Sequence, residues 1–463
     1  MGHRHRRTPV RSERERVPPP LLKRRLPSGR AAMSQPNVTG DGEAALTPRF
    51  WAAIVVTGVA AGLLGGLLML LLRAVSAVAY GARDLPDFAR AVQDASPWGR
   101  VWPLLVAGVV GGIGWYLLRR YTPGRRTDVD DILWTGHGRL SLTRSAGTSV
   151  LSEIVVGLGA SLGREAAPKL MGAVVGNLLA ERLHFTPAQV RLMVACGAGA
   201  GFACVYNVPL GAALFTAEVL VGAVNLPIVL PALACCAVST TTAWLILPNQ
   251  PVYVGVPQVT TTAALVVFAL LVGPIVGALA AGYVRLIGIV SHHAVRGRWL
   301  LVTPLLAFSA LALLGLKYPL LYGNGADTAH LALLGGGSVS LFLALSILKP
   351  LVTVMCLGSG ASGGLFTPVL ATGAALGAVL GSLWNDAWGG TAITAYVLVA
   401  AAAMMGAGMQ APLAGIVLML ELTHTGVAVL VPIIAATMIA TTVSRWIDGY
   451  SIYSARLAGP IES

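Results

Sequence analysis

The stretch GREAAPKLMGAVVG, residues 163 to 176, places an Arg, a Glu and a Lys inside a long run with almost no other charge. A carboxylate there can hold or release a proton, and Arg164 and Lys169 can draw an anion. Glycine lets the backbone approach a ligand closely, and Pro168 suits the first turn of a helix. The first N–H groups of a helix lack intrahelical partners and lie at its positive end, which binds an anion without a full positive charge. Ionisable groups inside a bilayer are costly and by default functional. Glu165 is therefore the first candidate, with a local ion pair to Arg164 as the alternative.

A second stretch repeats the pattern. GGLFTPVLATGAALG, residues 363 to 377, also reads Gly, four residues, Pro, one residue, Leu, then Gly-Ala and a later Gly, with Pro168 and Pro368 200 positions apart. A further pair follows in the same order: NVPLGAALFTAEVL at 207–220 and QAPLAGIVLMLELT at 410–423. In each, a Glu stands nine residues after the Pro, Glu218 after Pro209 and Glu421 after Pro412. Two matched motifs at one spacing imply two homologous halves, parallel or inverted. Two helix ends, near 165 and 366, aimed at one point would replace the water around an anion.

The elements that must position these groups are membrane helices. Of 463 residues, 56% are hydrophobic and 11% charged, and the mean hydropathy is +0.75. Soluble chains carry about 25% charged residues. Apolar stretches recur from about residue 50 to 444, many shorter than the ~20 residues of a perpendicular span and broken by some of the 55 Gly and 27 Pro. Uneven, interrupted helices mark transporters and channels with a midplane site. The net charge of +13 is concentrated: the first thirty residues carry ten Lys or Arg. Residues 1–46 read as a disordered basic arm on the cytoplasmic side, a topogenic tail rather than a nucleic-acid binder. Cys196, Cys204, Cys235, Cys236 and Cys356 lie in apolar stretches without CxxC spacing and read as small buried hydrophobes. No metal or cofactor is expected.

The order GREAAP, GSGASGGLFTP (358–368) and YSIYSARLA (450–458) resembles the CLC chloride channels and chloride/proton antiporters over about 48–458. The resemblance implies an all-α polytopic fold of two inverted repeats of broken, tilted helices. The membrane domain would span 47–458, with halves near 47–247 and 260–447 and a short helix near 450–458. It implies a homodimer in the cell membrane, with a multi-pass chain, a cytoplasmic N-terminus, and chloride or another small anion as the permeating species. By the same resemblance Glu165 is the gate. Gly163, Arg164, Ala166, Gly364, Leu365, Phe366 and Tyr453 belong to the anion site, Leu365 and Phe366 through backbone amides and Tyr453 through its hydroxyl. Tyr453 alone would read as an interfacial belt tyrosine.

Three departures from the family pattern matter. Ala166 stands where Gly is usual, and Lys169 follows the Pro; Lys169 would favour an ionised Glu165 and attract anions, or snorkel along its helix. The expected Ser of the first anion-binding loop is replaced by Arg125 in PGRRTDVDDILW (123–134), with Thr127 as a shifted hydroxyl donor. Arg125 either reaches the pore or sets topology, with Asp128, Asp130 and Asp131 as local counter-charges. The inner proton-relay position of the antiporters falls on Val219, which cannot hold a proton. Passive, channel-like conduction is therefore expected. Coupled exchange would need another relay: Glu218, Glu153 or ordered water. The repeat of Glu218 as Glu421 favours a structural role for both, and Glu153 is expected to pair with an arginine.

Other classes are less well served. An intramembrane enzyme needs a nucleophile–base pair or metal ligands in the bilayer. No HExxH is present, and no Ser/His pair stands in mid-segment. A cation-coupled carrier is disfavoured by the shortage of pore carboxylates. A relative that keeps the fold but conducts poorly is the remaining alternative, with Arg125 as its support.

Overall fold

The structure, a computed structural model, describes residues 44–82, 88–122, 129, 133 and 140–457. Arg125, Thr127 and most of the basic arm lie outside the described residues. Among the described residues sixteen α-helices follow in order: α1 Pro48–Tyr80, α2 Phe88–Asp94, α3 Pro97–Tyr121, α4 Leu142–Gly157, α5 Ala166–Arg182, α6 Pro187–Tyr206, α7 Pro209–Phe215 and α8 Leu226–Ala243. The second series is α9 Ala263–His292, α10 Thr303–Lys317, α11 Ala326–Leu333, α12 Val339–Gly358, α13 Phe366–Ala387, α14 Ile393–Met409, α15 Pro412–Thr423 and α16 Leu430–Ile447.

Helix starts follow local chemistry. Thr47, Ser96, Asn225, Thr262 and Ser338 each accept a hydrogen bond from an amide three residues on. Thr186 and Gln189 close a reciprocal capping box at the start of α6. Pro sits in the first turn of α1, α3, α6, α7, α8, α10 and α15, where its missing N–H costs nothing.

Among the described residues nine helical stretches are long and apolar enough to cross a membrane. In seven of them 39–50% of the most apolar window is buried, but in α6 and α13 the share is 83% and 78%, so these two form the centre. A helix apolar all round and wholly surrounded by protein is a core helix, and α14 also fits this description: every residue from Thr394 to Met409 is buried.

The centre is assembled through small residues. A Cβ on Gly172 of α5 would lie 2.0 Å from Gly197 O of α6, and one on Gly201 of α6 would lie 2.0 Å from Pro168 O. α13 meets α14 in the same way: a Cβ on Gly381 would stand 2.4 Å from the Tyr396 Cβ. Close backbone approach supplies the dispersion contact that replaces hydrophobic drive in lipid.

The two halves are inverted relative to each other. Glu218, at the end of the first PL…E motif, accepts from Leu413 N at 3.2 Å and Ala414 N at 2.6 Å, the start of α15. Glu421, at the end of the second motif, accepts from Leu210 N at 3.1 Å and Gly211 N at 2.6 Å, the start of α7. End meets start in both directions, so the paired helices run antiparallel about a pseudo-twofold axis. Each carboxylate satisfies two orphan amides and faces a positive helix end.

The overpacking at the centre is testable. Gly201→Ala should lower stability by about 1–3 kcal/mol, the usual cost of inserting a methyl into a filled interior. Gly282→Ala, where nothing lies within 4 Å of the new Cβ, should stay within about 0.5 kcal/mol of the parent. Thermal unfolding of the purified protein in detergent compares them; equal melting would show that the α5–α6 contact yields freely.

Candidate functional site

Two broken helices end at the same place. α4 stops at Gly157, and a link of turns and bends carries the chain to α5; α12 stops at Gly358, and a second link leads to α13. The links meet at Gly163 and Gly364, each amide donating to the other's carbonyl at 2.7 Å. Both bonds satisfy backbone groups that lipid cannot. The rest of the second link is tied back by its carbonyls. Thr303 donates to Ser359 O at 2.9 Å, Arg119 to Gly360 O at 2.6 Å and Ser152 to Ser362 O at 2.8 Å.

The Glu165 side chain lies over this bridge. One carboxylate oxygen accepts from the Phe366 amide at 2.8 Å, at the start of α13. The other accepts from the Tyr206 hydroxyl at 2.9 Å, which is in turn 2.6 Å from the Thr367 hydroxyl. With the Tyr206 proton committed to the carboxylate, Thr367 is the donor of that second bond. A Cβ on Gly163 or Gly364 would stand 2.2 or 1.8 Å from the carboxylate oxygens, so glycine at both positions leaves the room the carboxylate occupies. Glu165 is 2% exposed and heads α5, whose Lys169 amide bonds its carbonyl.

Two cavities flank Glu165, and it lines neither. The first, about 110 Å3, is lined by Arg73, Arg164, Tyr206, Asn324, Asp327 and His330, among others. The second, about 60 Å3, is lined by Ser149, Ser152, Ala166, Lys169, Gly363 and Arg456, among others. Arg164 and Ala166, the chain neighbours of Glu165, thus line different cavities.

The aromatic packing holds this arrangement. Phe366 meets Phe202 edge-on at 4.9 Å and Tyr206 at 5.4 Å, and Phe202 stacks on Phe215 at 5.0 Å. Phe215 meets Tyr453 edge-on at 5.5 Å. Phe366 therefore packs with its ring and donates with its backbone.

The site residues expected from sequence fall as follows. Glu165, Gly163, Gly364 and Phe366 meet at one point; Leu365 is buried beside them as the residue before α13, and Ala166 opens α5. Arg164 does not pair with Glu165: its guanidinium lies 5.1 Å from the centre of the Tyr206 ring. Lys169 does not snorkel; it is 8% exposed, with its ammonium 4.5 Å above the Tyr453 ring, and it lines the second cavity. Tyr453 is 5% exposed, packed inside the protein, and the described part of the terminal segment forms a short 3-10 turn, Ser454–Arg456. Val219 is buried in a π-helical turn, Thr216–Val221, which continues α7. In that turn Glu218 is committed to capping α15. Glu153 is fully buried and neither carboxylate oxygen has a hydrogen-bond partner, so the expected ion pair with an arginine does not form. Among the described residues no cluster of His, Cys, Asp and Glu could hold a metal.

Sequence reasoning missed Tyr206 and Thr367. The only signal was position: Tyr206 directly precedes the first PL…E motif, and Thr367 lies inside GLFTP. Neither carries charge, and a buried hydroxyl reads as packing until its partner is known.

Comparison with known proteins follows the geometry. Residues 106–445 match the family described as voltage gated chloride channel. A voltage-gated ClC-type chloride channel ClcB of Escherichia coli is 31% identical over 382 residues, covering 80% of this chain and 90% of that protein. The ClcB of Citrobacter koseri is 29% identical over 385 residues with the same coverage. Among solved structures, a slow cyanobacterial Cl-/H+ antiporter is similar with a TM-score of 0.74 and 22% identity, over 88% of this chain and 97% of that one. A CLC-type fluoride/proton antiporter follows with a TM-score of 0.68 and 23% identity, again over 88% and 97%.

Removing the Tyr206 hydroxyl tests how the carboxylate is held. A hydrogen bond to a charged group contributes about 1.5–3 kcal/mol, and about 1.4 kcal/mol is tenfold in an equilibrium. Tyr206→Phe should therefore let Glu165 leave its place at least about tenfold more often and raise anion flux into vesicles at alkaline pH. Flux equal to that of the parent would mean that the Phe366 amide alone retains the carboxylate.

Proposed function

This chain belongs to the CLC family of voltage-gated chloride channels, and from that membership we propose that it conducts chloride or another small anion passively, with Glu165 as its gate. The single observation that supports the gate is the place of its carboxylate, between two cavities and against the Phe366 amide. An ionised carboxylate there occupies the anion's position. Protonation removes its charge, frees the Phe366 amide and admits an anion to the same donor.

Passive flow is favoured by what surrounds the expected inner relay. Val219 has no titratable group, and Glu218 spends its carboxylate on the amides of Leu413 and Ala414. Tyr453 and Lys169 border the path on the side of the second cavity, and Leu365 and Phe366 supply its amides. The role of Arg125 and Thr127 stays a proposal of the sequence alone: a cation or hydroxyl at the anion path. We propose further that the chain forms a homodimer in the cell membrane and that residues 1–46 form a cytoplasmic arm.

Purified protein in vesicles with a chloride gradient, no pH gradient and a clamped potential tests the reading. Chloride should flow while protons stay still, and flux should rise as external pH falls. Glu165→Gln and Glu165→Ala should each abolish that pH response across about pH 4–7, the range over which a buried carboxyl titrates. A Gln variant that keeps the parental pH response would remove Glu165 from the gate. Uphill proton movement at a fixed ratio to chloride would replace the channel with an exchanger.

A further inference from the structure

We propose that Arg119 is a positioning residue for the anion path: it holds the Gly360 carbonyl outward and so keeps the negative end of α12 from facing the anion. The inference rests on the anion-pathway reading and names what lets a helix end share the site with an anion.

The second link poses a problem of sign. A helix is positive at its start and negative at its end. α13 starts at the site, at Phe366, but α12 ends beside it, at Gly358. The last carbonyls of a helix have no intrahelical partner, and a bare carbonyl beside an anion repels it. The end of α12 is tolerable there only with its carbonyls turned away and taken up.

Four donors do this. Gly358 O accepts from the Val295 amide at 3.2 Å and Ser359 O from the Thr303 hydroxyl at 2.9 Å. Gly360 O accepts from Arg119 at 2.6 Å and Ser362 O from the Ser152 hydroxyl at 2.8 Å. In a trans peptide the N–H points opposite to the C=O. The amides of Ala361 and Gly363 therefore aim away from Arg119 and Ser152, and neither donates to a described residue. Ser362 and Gly363 line the second cavity. Turning the Gly360–Ala361 peptide over would exchange an amide for a carbonyl on that side.

Arg119 is the one charged donor of the four, and a charge-assisted hydrogen bond is roughly twice as strong as a neutral one. It stands in the last turn of α3, half-buried, and reaches from the first half of the chain into the second. Gly360 has φ +92°, and a Cβ there would lie 2.4 Å from the Leu300 side chain, so glycine sets the turn and Arg119 holds its carbonyl. The end of α4, the equivalent place in the first half, is covered by neutral donors. Ser76 gives to Gly157 O at 3.2 Å, Tyr80 to Leu158 O at 2.8 Å and the Gly323 amide to Gly159 O at 2.9 Å. The repeat by itself thus requires no cation; the second link has one.

The test is chloride flux into vesicles over a range of chloride concentrations, for the parent, Arg119→Gln and Arg119→Lys. Arg119→Gln removes the charge and should raise the half-saturating chloride concentration about tenfold, with maximal flux per folded protein within about twofold of the parent. Arg119→Lys keeps a charged donor for the single bond to Gly360 O and should stay within about threefold of the parental half-saturation. A residue that only supports the fold would lower the maximal flux of Arg119→Gln and leave half-saturation unchanged, and that result overturns the proposal. Parental values in Arg119→Gln also overturn it. Should Arg119→Gln yield no folded protein, Arg119→Lys decides: a half-saturation shifted about tenfold or more overturns the proposal. A parent that passes no chloride would sink the pathway reading instead.

Discussion

Two hydrogen bonds between Gly163 and Gly364 close a gap that the bilayer would otherwise forbid. Breaking a helix in mid-membrane exposes amides and carbonyls that cannot find water there. Here two breaks meet and satisfy each other, and only because neither residue has a side chain can Glu165 lie across the join. Beside the join, the Phe366 amide at a helix start finds its acceptor in the Glu165 carboxylate. The demand for paired backbone groups thus produces the same geometry that an anion would use.

The inverted repeat makes that meeting point possible. A twofold relation places equivalent ends of the two halves face to face, and the Glu218 and Glu421 caps fix the helices behind them in register. Their cost as half-buried carboxylates is offset by two amides each. Polar groups near the site divide accordingly. Some are fully partnered and hold the frame, such as Glu218, Glu421 and Lys349. Others are only partly satisfied: the Arg164 Nε and both Glu153 oxygens have no hydrogen-bond partner.

Much of the frame was legible in the sequence. The matched Pro-Leu motifs gave the halves, since a repeat at 200-residue spacing leaves its mark in the glycines and prolines that a broken helix requires. Orientation was not legible, because the same motif is read identically whichever way its helix points. Charged members of the site stood out against an apolar background. The uncharged ones, Tyr206 and Thr367, did not, since a hydroxyl's role depends on a partner 41 or 161 residues away. The arginine expected beside Glu153 failed because such a pair depends on packing between helices that a single strand of sequence does not record.

The central claim is that Glu165 and the anion compete for the Phe366 amide. Anomalous diffraction from bromide-soaked crystals measures this directly, by comparing the parent with Glu165→Ala. The account requires the carboxylate at the Phe366 amide in the parent, and a bromide peak at hydrogen-bond distance from that amide once the side chain is gone. A bromide peak at the amide with the parent carboxylate still in place, or no peak there in the variant, would contradict it.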